Sequence, residues 1–147
     1  MQKLLITLLA ALAAGMVSSL GRMPAGHEPT GVTSPQVCVT PQSSSAATLN
    51  GEGVDLAGRR GALFTLGAGS LTGLATVAAH LQDSADNSTF TNVNTTTYPE
   101  ASLAASNAAN SAREIGYAGG GGRQRYVRAV AVVAANVALV SVTAVRY

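Results

Sequence analysis

The sequence predicts an all-β protein: an antiparallel β-sandwich of the jelly-roll kind, preceded by an apolar amino-terminal helix and an extended arm. Three observations point to this fold. The first is the run over 123–147, with valine at 127, 130, 132, 133, 137, 140, 142 and 145; β-branched residues fit a pleated, half-buried surface. The second is a series of short apolar runs after residue 46, separated by Gly, Asn, Asp and Ser at intervals of about ten residues, the punctuation of a sandwich or barrel. The third is composition. The chain is 47% hydrophobic yet has two Phe, four Tyr and no Trp, so its core must be built from Val, Leu and Ala, which suits thin, regular sheets.

Residues 1–23 pair Lys3 with an apolar run over 4–17. Three readings stand side by side. The segment has the form of a secretory signal, and is too short and alanine-rich for a membrane span; a membrane is a partner only if it acts as that export signal. Alternatively it is an amphipathic helix whose stripe of Leu5, Leu8, Leu9, Leu12 and Met16 docks on a partner. In the third reading translation starts at Met16 or Met23. Residues 24–46 hold four of the five prolines and a serine run. Each proline removes a donor and fixes its own φ, so this stretch reads as an extended arm, with 37–40 as a short edge strand. His27 and Cys38 lie in it, in structural or solvent-exposed roles.

The sandwich domain is expected over 47–147, with strands near 46–49, 53–56, 62–66, 75–84, 90–93 and 114–117. Two long strands, 124–135 and 137–146, pinched at Asn136, complete it. In the first of these, period-2 alternation puts Tyr126, Arg128, Val130 and Val132 on one face and Val127, Ala129, Ala131 and Val133 on the other. That second face is wholly apolar and needs cover. Segment 75–84 likewise sets Val77, Ala79 and Leu81 against Thr76, Ala78, His80 and Gln82. Residues 94–113 turn polar and alanine-rich: Pro99 at a first helical position, followed by alanines, predicts a short helix over 99–109, and the long excursion reads as a contact surface. The glycines at 119–122 lack the Lys and Ser/Thr of a phosphate-binding loop and read as a flexible connection.

The residues that carry chemistry elsewhere do not assemble here. Ser70 in GAGSLTG lacks the glycine positions and the strand-turn-helix setting of a nucleophile elbow. Asp83, Asp86 and Asn87 in QDSADNSTF lack the spacing and terminal glutamate of a calcium-binding hand and read as an Asx-stabilised turn. His80 has no second His or Cys near it and reads as an exposed or hydrogen-bonded residue. A single cysteine excludes an intramolecular disulfide framework. The sequence therefore predicts no enzyme, no cofactor, no metal and no small-molecule substrate. Net charge is +2 with pI near 9.0, from eight arginines and one lysine spread without a block of like charge, which is not a nucleic-acid signature. Arg59 and Arg60 fall in the turn before the third strand; Arg123, Arg125, Arg128 and Arg146 fall on the terminal strands. They either form a ring that forks onto acidic partner surfaces or a solvated edge that prevents sheet-to-sheet aggregation.

VDLAGRRGALFTLGAG (54–69), HLQDSADNSTFTNV (80–93) and GYAGGGGRQRYVRAVAVV (116–133) together resemble small β-rich structural proteins of tailed bacteriophages. The resemblance covers residues 47–147 and is a pattern of strands and turns without a catalytic motif. It implies a virion component, a head decoration or cement protein that stabilises the head lattice through inter-subunit contacts. Implied partners are the major capsid protein or other virion subunits and further copies of the chain, assembled in the host cytoplasm. Residues 1–23 depart from the pattern. They keep open an exported bacterial surface or periplasmic binding module; tail and head-fibre roles also stay open.

Overall fold

The computed structural model describes residues 35–118 and 122–147. The expectations for 1–23, with Leu5, Leu8, Leu9 and Leu12, and for the arm up to 34 lie outside the described residues. In order come β1 (Gln36–Asn50), β2 (Val54–Asp55), β3 (Gly61–Leu71), β4 (Thr76–Ser84), β5 (Thr91–Asn92), one 3-10 turn (Pro99–Ala101), β6 (Ser102–Ser106), β7 (Ser111–Ala118) and β8 (Tyr126–Arg146).

Strand β8 organises the rest. It is one strand of 21 residues where two were expected, because its backbone turns a corner without leaving the sheet. The corner is Ala135, at φ 62°, next to the expected pinch at Asn136. Alternation along a strand has period 2. The inward set is Val127, Ala129, Ala131 and Val133 before the corner and Ala138, Val140, Val142 and Ala144 after it, so odd numbers give way to even. Residues 134–137, which make the shift, are exposed.

Strand β1 follows β8 around the same corner. It pairs with the second half of β8 from Gln36↔Ala144 to Ser45↔Val137, and with the first half from Ala47↔Val133 to Asn50↔Val130. Its own bend is Ala46, at φ 46°, where the register shifts. On the opposite edge of β8 each half has its own neighbour. β4 runs along the first half, Ser84↔Tyr126 to Thr76↔Ala134, and β3 along the second, Ala62↔Arg146 to Leu71↔Ala138. β7 extends β3, β5 and β6 extend β4, and β2 pairs with the start of β8, every pair antiparallel. The product is one eight-stranded antiparallel sheet curled on itself. The all-β, antiparallel expectation holds.

The concave side of the curl is the core. Phe64 and Leu66 of β3, Val77 and Leu81 of β4, Ile115 and Tyr117 of β7, and the two inward valine and alanine rows of β8 are all buried. Full burial of one Val, Leu or Phe side chain contributes about 1.5–3 kcal/mol relative to exposure. Polar ties hold the curl closed. Arg113 on β7 donates to Val77 O on β4 at 2.5 Å and to Ala104 O on β6 at 2.7 Å. At the start of β1, Cys38 O accepts from Glu52 N at 3.1 Å, so the strand's beginning meets the loop that follows its end.

Two expectations are corrected. Within the extended arm only 37–40 was expected as an edge strand; that strand is there, but it is longer, and 36–46 as a whole is the first half of β1. Pro41 is tolerated because it lies in the register shift between Val39 and Gln42, on an edge strand where a missing N–H leaves no ladder partner stranded. The helix over 99–109 is a single turn, Pro99–Ala101. Ser102 then extends, at φ −148° and ψ 148°, and β6 pairs with β4 through His80↔Ser102 and Ala79↔Leu103. Alanine's helix propensity is worth tenths of a kcal/mol per residue and yields to a free sheet edge.

Candidate interaction surfaces

The two ends of the curl differ in chemistry. At one end the beginning and the end of β8 come together, joined by the turn between β2 and β3. Leu56 N donates to Arg125 O at 2.8 Å, and Tyr147 N donates to Gly61 O at 3.2 Å. Five arginines, Arg59, Arg60, Arg123, Arg125 and Arg146, gather on this turn and the two ends of β8. Arg123 donates to the carbonyls of Arg60 and of Arg59, the latter at 2.7 Å. Arg125 forks onto Asp55, Nε at 3.1 Å and Nη2 at 2.8 Å, and its guanidinium lies 5.0 Å from the Tyr126 ring centroid. Arg146 donates to Asp55 O at 3.2 Å. The Arg125 fork holds the Asp55 carboxyl down to about 2, and the carboxylate in turn raises Arg125. Arg60 is exposed and Arg59 half-buried.

The sequence left two readings of these arginines, forks onto an acidic partner or a solvated edge. The structure brings Arg59, Arg60, Arg123 and Arg125 together, but the forks of Arg123 and Arg125 close on the chain's own acceptors. Binding a carbonyl does not neutralise a guanidinium, so the cluster keeps its charge. Asp55 lies inside it and Glu52 in the preceding loop. Arg128 stands apart: it donates twice to Gln82 Oε1, at 2.9 and 2.6 Å, and its guanidinium stacks 4.2 Å from the Phe90 ring centroid. That site braces the β4–β5 turn.

The same turn shows what the acidic triplet does. Asp86 Oδ1 accepts from Ser84 Oγ at 2.8 Å and from Ser88 N and Thr89 N at 2.9 Å each, an Asx turn that holds its carboxyl well below the usual range. Asp83 leaves the turn and accepts from Tyr117 Oη at 2.7 Å. His80 is half-buried, its pKa lowered by desolvation, beside a shallow recess of about 300 Å³ with Asn92 and Thr95. A second recess, about 260 Å³, lies between residues 97–100 and β7 and has Glu100 as its one charged lining residue. Among the described residues no three of His, Cys, Asp and Glu gather as a metal site. The Cys38 thiol is buried and pushed up to about 11, mainly by that burial.

The opposite end was not singled out in the sequence. It is where β1 and β8 turn their corners, and four segments meet there: 43–48, 71–76, 106–111 and 134–139. Thr72 N and Thr72 Oγ1 both donate to Val137 O, at 3.0 and 3.2 Å. Ser45 Oγ donates to Ala135 O at 3.5 Å, and Asn110 N to Gly69 O at 2.9 Å. None of the four segments contains a charged residue. Leu74 is 83% exposed, Val137 41% and Leu139 37%. The only signal in the sequence was the absence of charge from four separate turns, and that becomes a surface only when the fold brings them together.

Comparison of the chain with family profiles, with curated proteins and with solved structures finds no significant match.

Proposed function

We propose that the chain is a structural subunit of a tailed-phage virion, a head decoration or cement protein that works through protein contacts and not through chemistry. The curled sheet, read as two layers, is a sandwich of the jelly-roll kind, a rigid body suited to repeated placement on a lattice. One observation carries the reading: five arginines concentrated at one end, three of which, Arg123, Arg125 and Arg146, are held by the chain's own carbonyls and by Asp55. Clamped side chains lose little further rotamer freedom on binding, so their field is a fixed feature that an acidic lattice surface can meet. Each lattice contact is individually weak, and multivalent placement adds them up. The Pro41 and register shifts of β1 support a discrete subunit over one that polymerises through that edge.

The test is rebinding of the purified full chain to particles that lack it. Occupancy should fall as salt rises from 50 to 500 mM, a range over which the Debye length shrinks severalfold. Arg60→Glu, at an exposed position, should weaken binding by about tenfold. Failure to bind particles at any salt, or binding indifferent to both salt and Arg60→Glu, overturns the proposal.

A further inference from the structure

We infer that the charge-free end of the curled sheet is the contact between two copies of this chain, related by a two-fold axis. This goes beyond the lattice contact proposed above, which uses the arginine end. The first ground is size. Segments 43–48, 71–76, 106–111 and 134–139 supply twenty-four residues, most of them exposed, within the 20–30 residues that each side of a standard specific interface contributes. The second is the apolar centre. Leu74 projects at 83% exposure from the β3–β4 turn, and Val137 and Leu139 are exposed on the adjoining start of the second half of β8.

The choice of occupant rests on charge. In a two-fold contact the same patch faces itself, so any charge near the axis meets its own copy. The four segments carry none, the nearest guanidinium, that of Arg113, being turned onto the carbonyls of Val77 and Ala104, and their polar side chains are Ser, Thr and Asn, which both donate and accept and so can pair with themselves. The other arrangements of two copies are penalised. Arginine end against arginine end sets like charges together. Arginine end against charge-free end buries guanidinium groups against a surface with no acid to meet them. A membrane is the weaker fit, because the end has no Trp, Tyr, Lys or Arg of the kind that anchors a protein at the lipid interface.

Sedimentation equilibrium of the full chain across a concentration series tests this, with Leu74→Asp as the variant; at 83% exposure the leucine contributes little to folding, and circular dichroism checks that the variant folds. The wild type should dimerise, with an affinity unchanged between 50 and 500 mM salt. Leu74→Asp should raise the dimer dissociation constant by about 100-fold or more, since each copy forces an unpaired carboxylate into the contact, and Arg60→Glu should leave it unchanged. A second readout is Leu74→Cys, which should give a disulfide-linked dimer on mild oxidation because Cys38 is buried. A monomer at all concentrations, a dimer untouched by Leu74→Asp, or binding of the wild type to neutral lipid vesicles that Leu74→Asp abolishes would each overturn the inference. The two proposals fail separately: loss of particle binding is read on Arg60→Glu and salt, loss of self-association on Leu74→Asp.

Discussion

Tyr117 Oη donates to Asp83 Oδ2 at 2.7 Å, and the same oxygen accepts from Gln124 N at 3.0 Å. One phenol thereby ties β7 to β4 and holds the residues that lead into β8. Its ring is fully buried and packs 4.9 Å, centroid to centroid, from that of Tyr98. Tyr117→Phe keeps the packing and removes the oxygen, leaving the Gln124 amide and one Asp83 oxygen without their partner. The expected cost is about 1–3 kcal/mol, read as a lower melting temperature without loss of sheet signal. A variant as stable as wild type would mean that solvent replaces the phenol.

The same group sets an alkaline limit. Burial, then the hydrogen bond to Asp83, raises the Tyr117 phenol well above its ordinary value. A group whose proton is held more tightly in the folded state stabilises that state fully below its unfolded pKa, about 10 for tyrosine, and loses the contribution as pH rises beyond it. Stability should therefore fall above about pH 10, and Tyr117→Phe should flatten that fall. A thermal melt series between pH 8 and 11.5 on both proteins decides it.

The acid side has the opposite sign. Asp55 is held down to about 2 by Arg125, and Asp86 is lowered by the Thr89 and Ser88 amides and Ser84. Their contributions are present above the ordinary carboxylate value near 4 and are lost as pH falls through the folded values. Asp86→Ala should remove the part due to the β4–β5 turn at all salt concentrations, since short hydrogen bonds to backbone amides are little screened. Asp55→Asn should remove a part that 1 M salt already suppresses, because the Arg125 pair is exposed. Melts at pH 2–6 with and without salt separate the two; equal salt sensitivity would count against the assignment.

Cys38 should behave as a core residue. It is 6% exposed, its thiol donates to Gln36 O at 3.6 Å, and its pKa is pushed up to about 11. Since the thiolate is the reactive form, a maleimide or disulfide reagent at pH 8 should modify it only as fast as the fold opens, and immediately in denaturant. Rapid labelling of the native chain would show that the start of β1 detaches from the sheet.

How much of this was legible varies by element. Alternation in 75–84 and 126–133 gave the strand faces correctly, because period 2 survives whatever the neighbours do. The corner in β8 was half legible: Asn136 drew attention, but a strand that bends and continues has the same local sequence as two strands and a turn. The 99–109 stretch went wrong through alanine, whose helix preference is small against a vacant edge of β4. The arginines were found as a set, yet their targets, the carbonyls of 59 and 60 and the Asp55 carboxylate, lie more than sixty residues away in sequence from Arg123 and Arg125. The charge-free end had no motif at all.

The corner itself gives the last prediction. Ala135 holds φ 62° and Ala46 holds φ 46°, both in the left-handed region, where a β-carbon costs about 1–2 kcal/mol. Glycine removes that strain but adds unfolded-state entropy worth about 0.5–1 kcal/mol. Ala135→Gly should therefore range from neutral to about 1 kcal/mol more stable. Ala135→Val adds a branched β-carbon at the same φ and should destabilise by about 2 kcal/mol or more. The residue is exposed, so neither change disturbs the core, and the two effects isolate backbone conformation. Denaturant melts of the pair test whether β8 turns this corner in solution: were Ala135→Val neutral and Ala135→Gly destabilising, the strand would run straight through 135, and the four charge-free segments would not share one end.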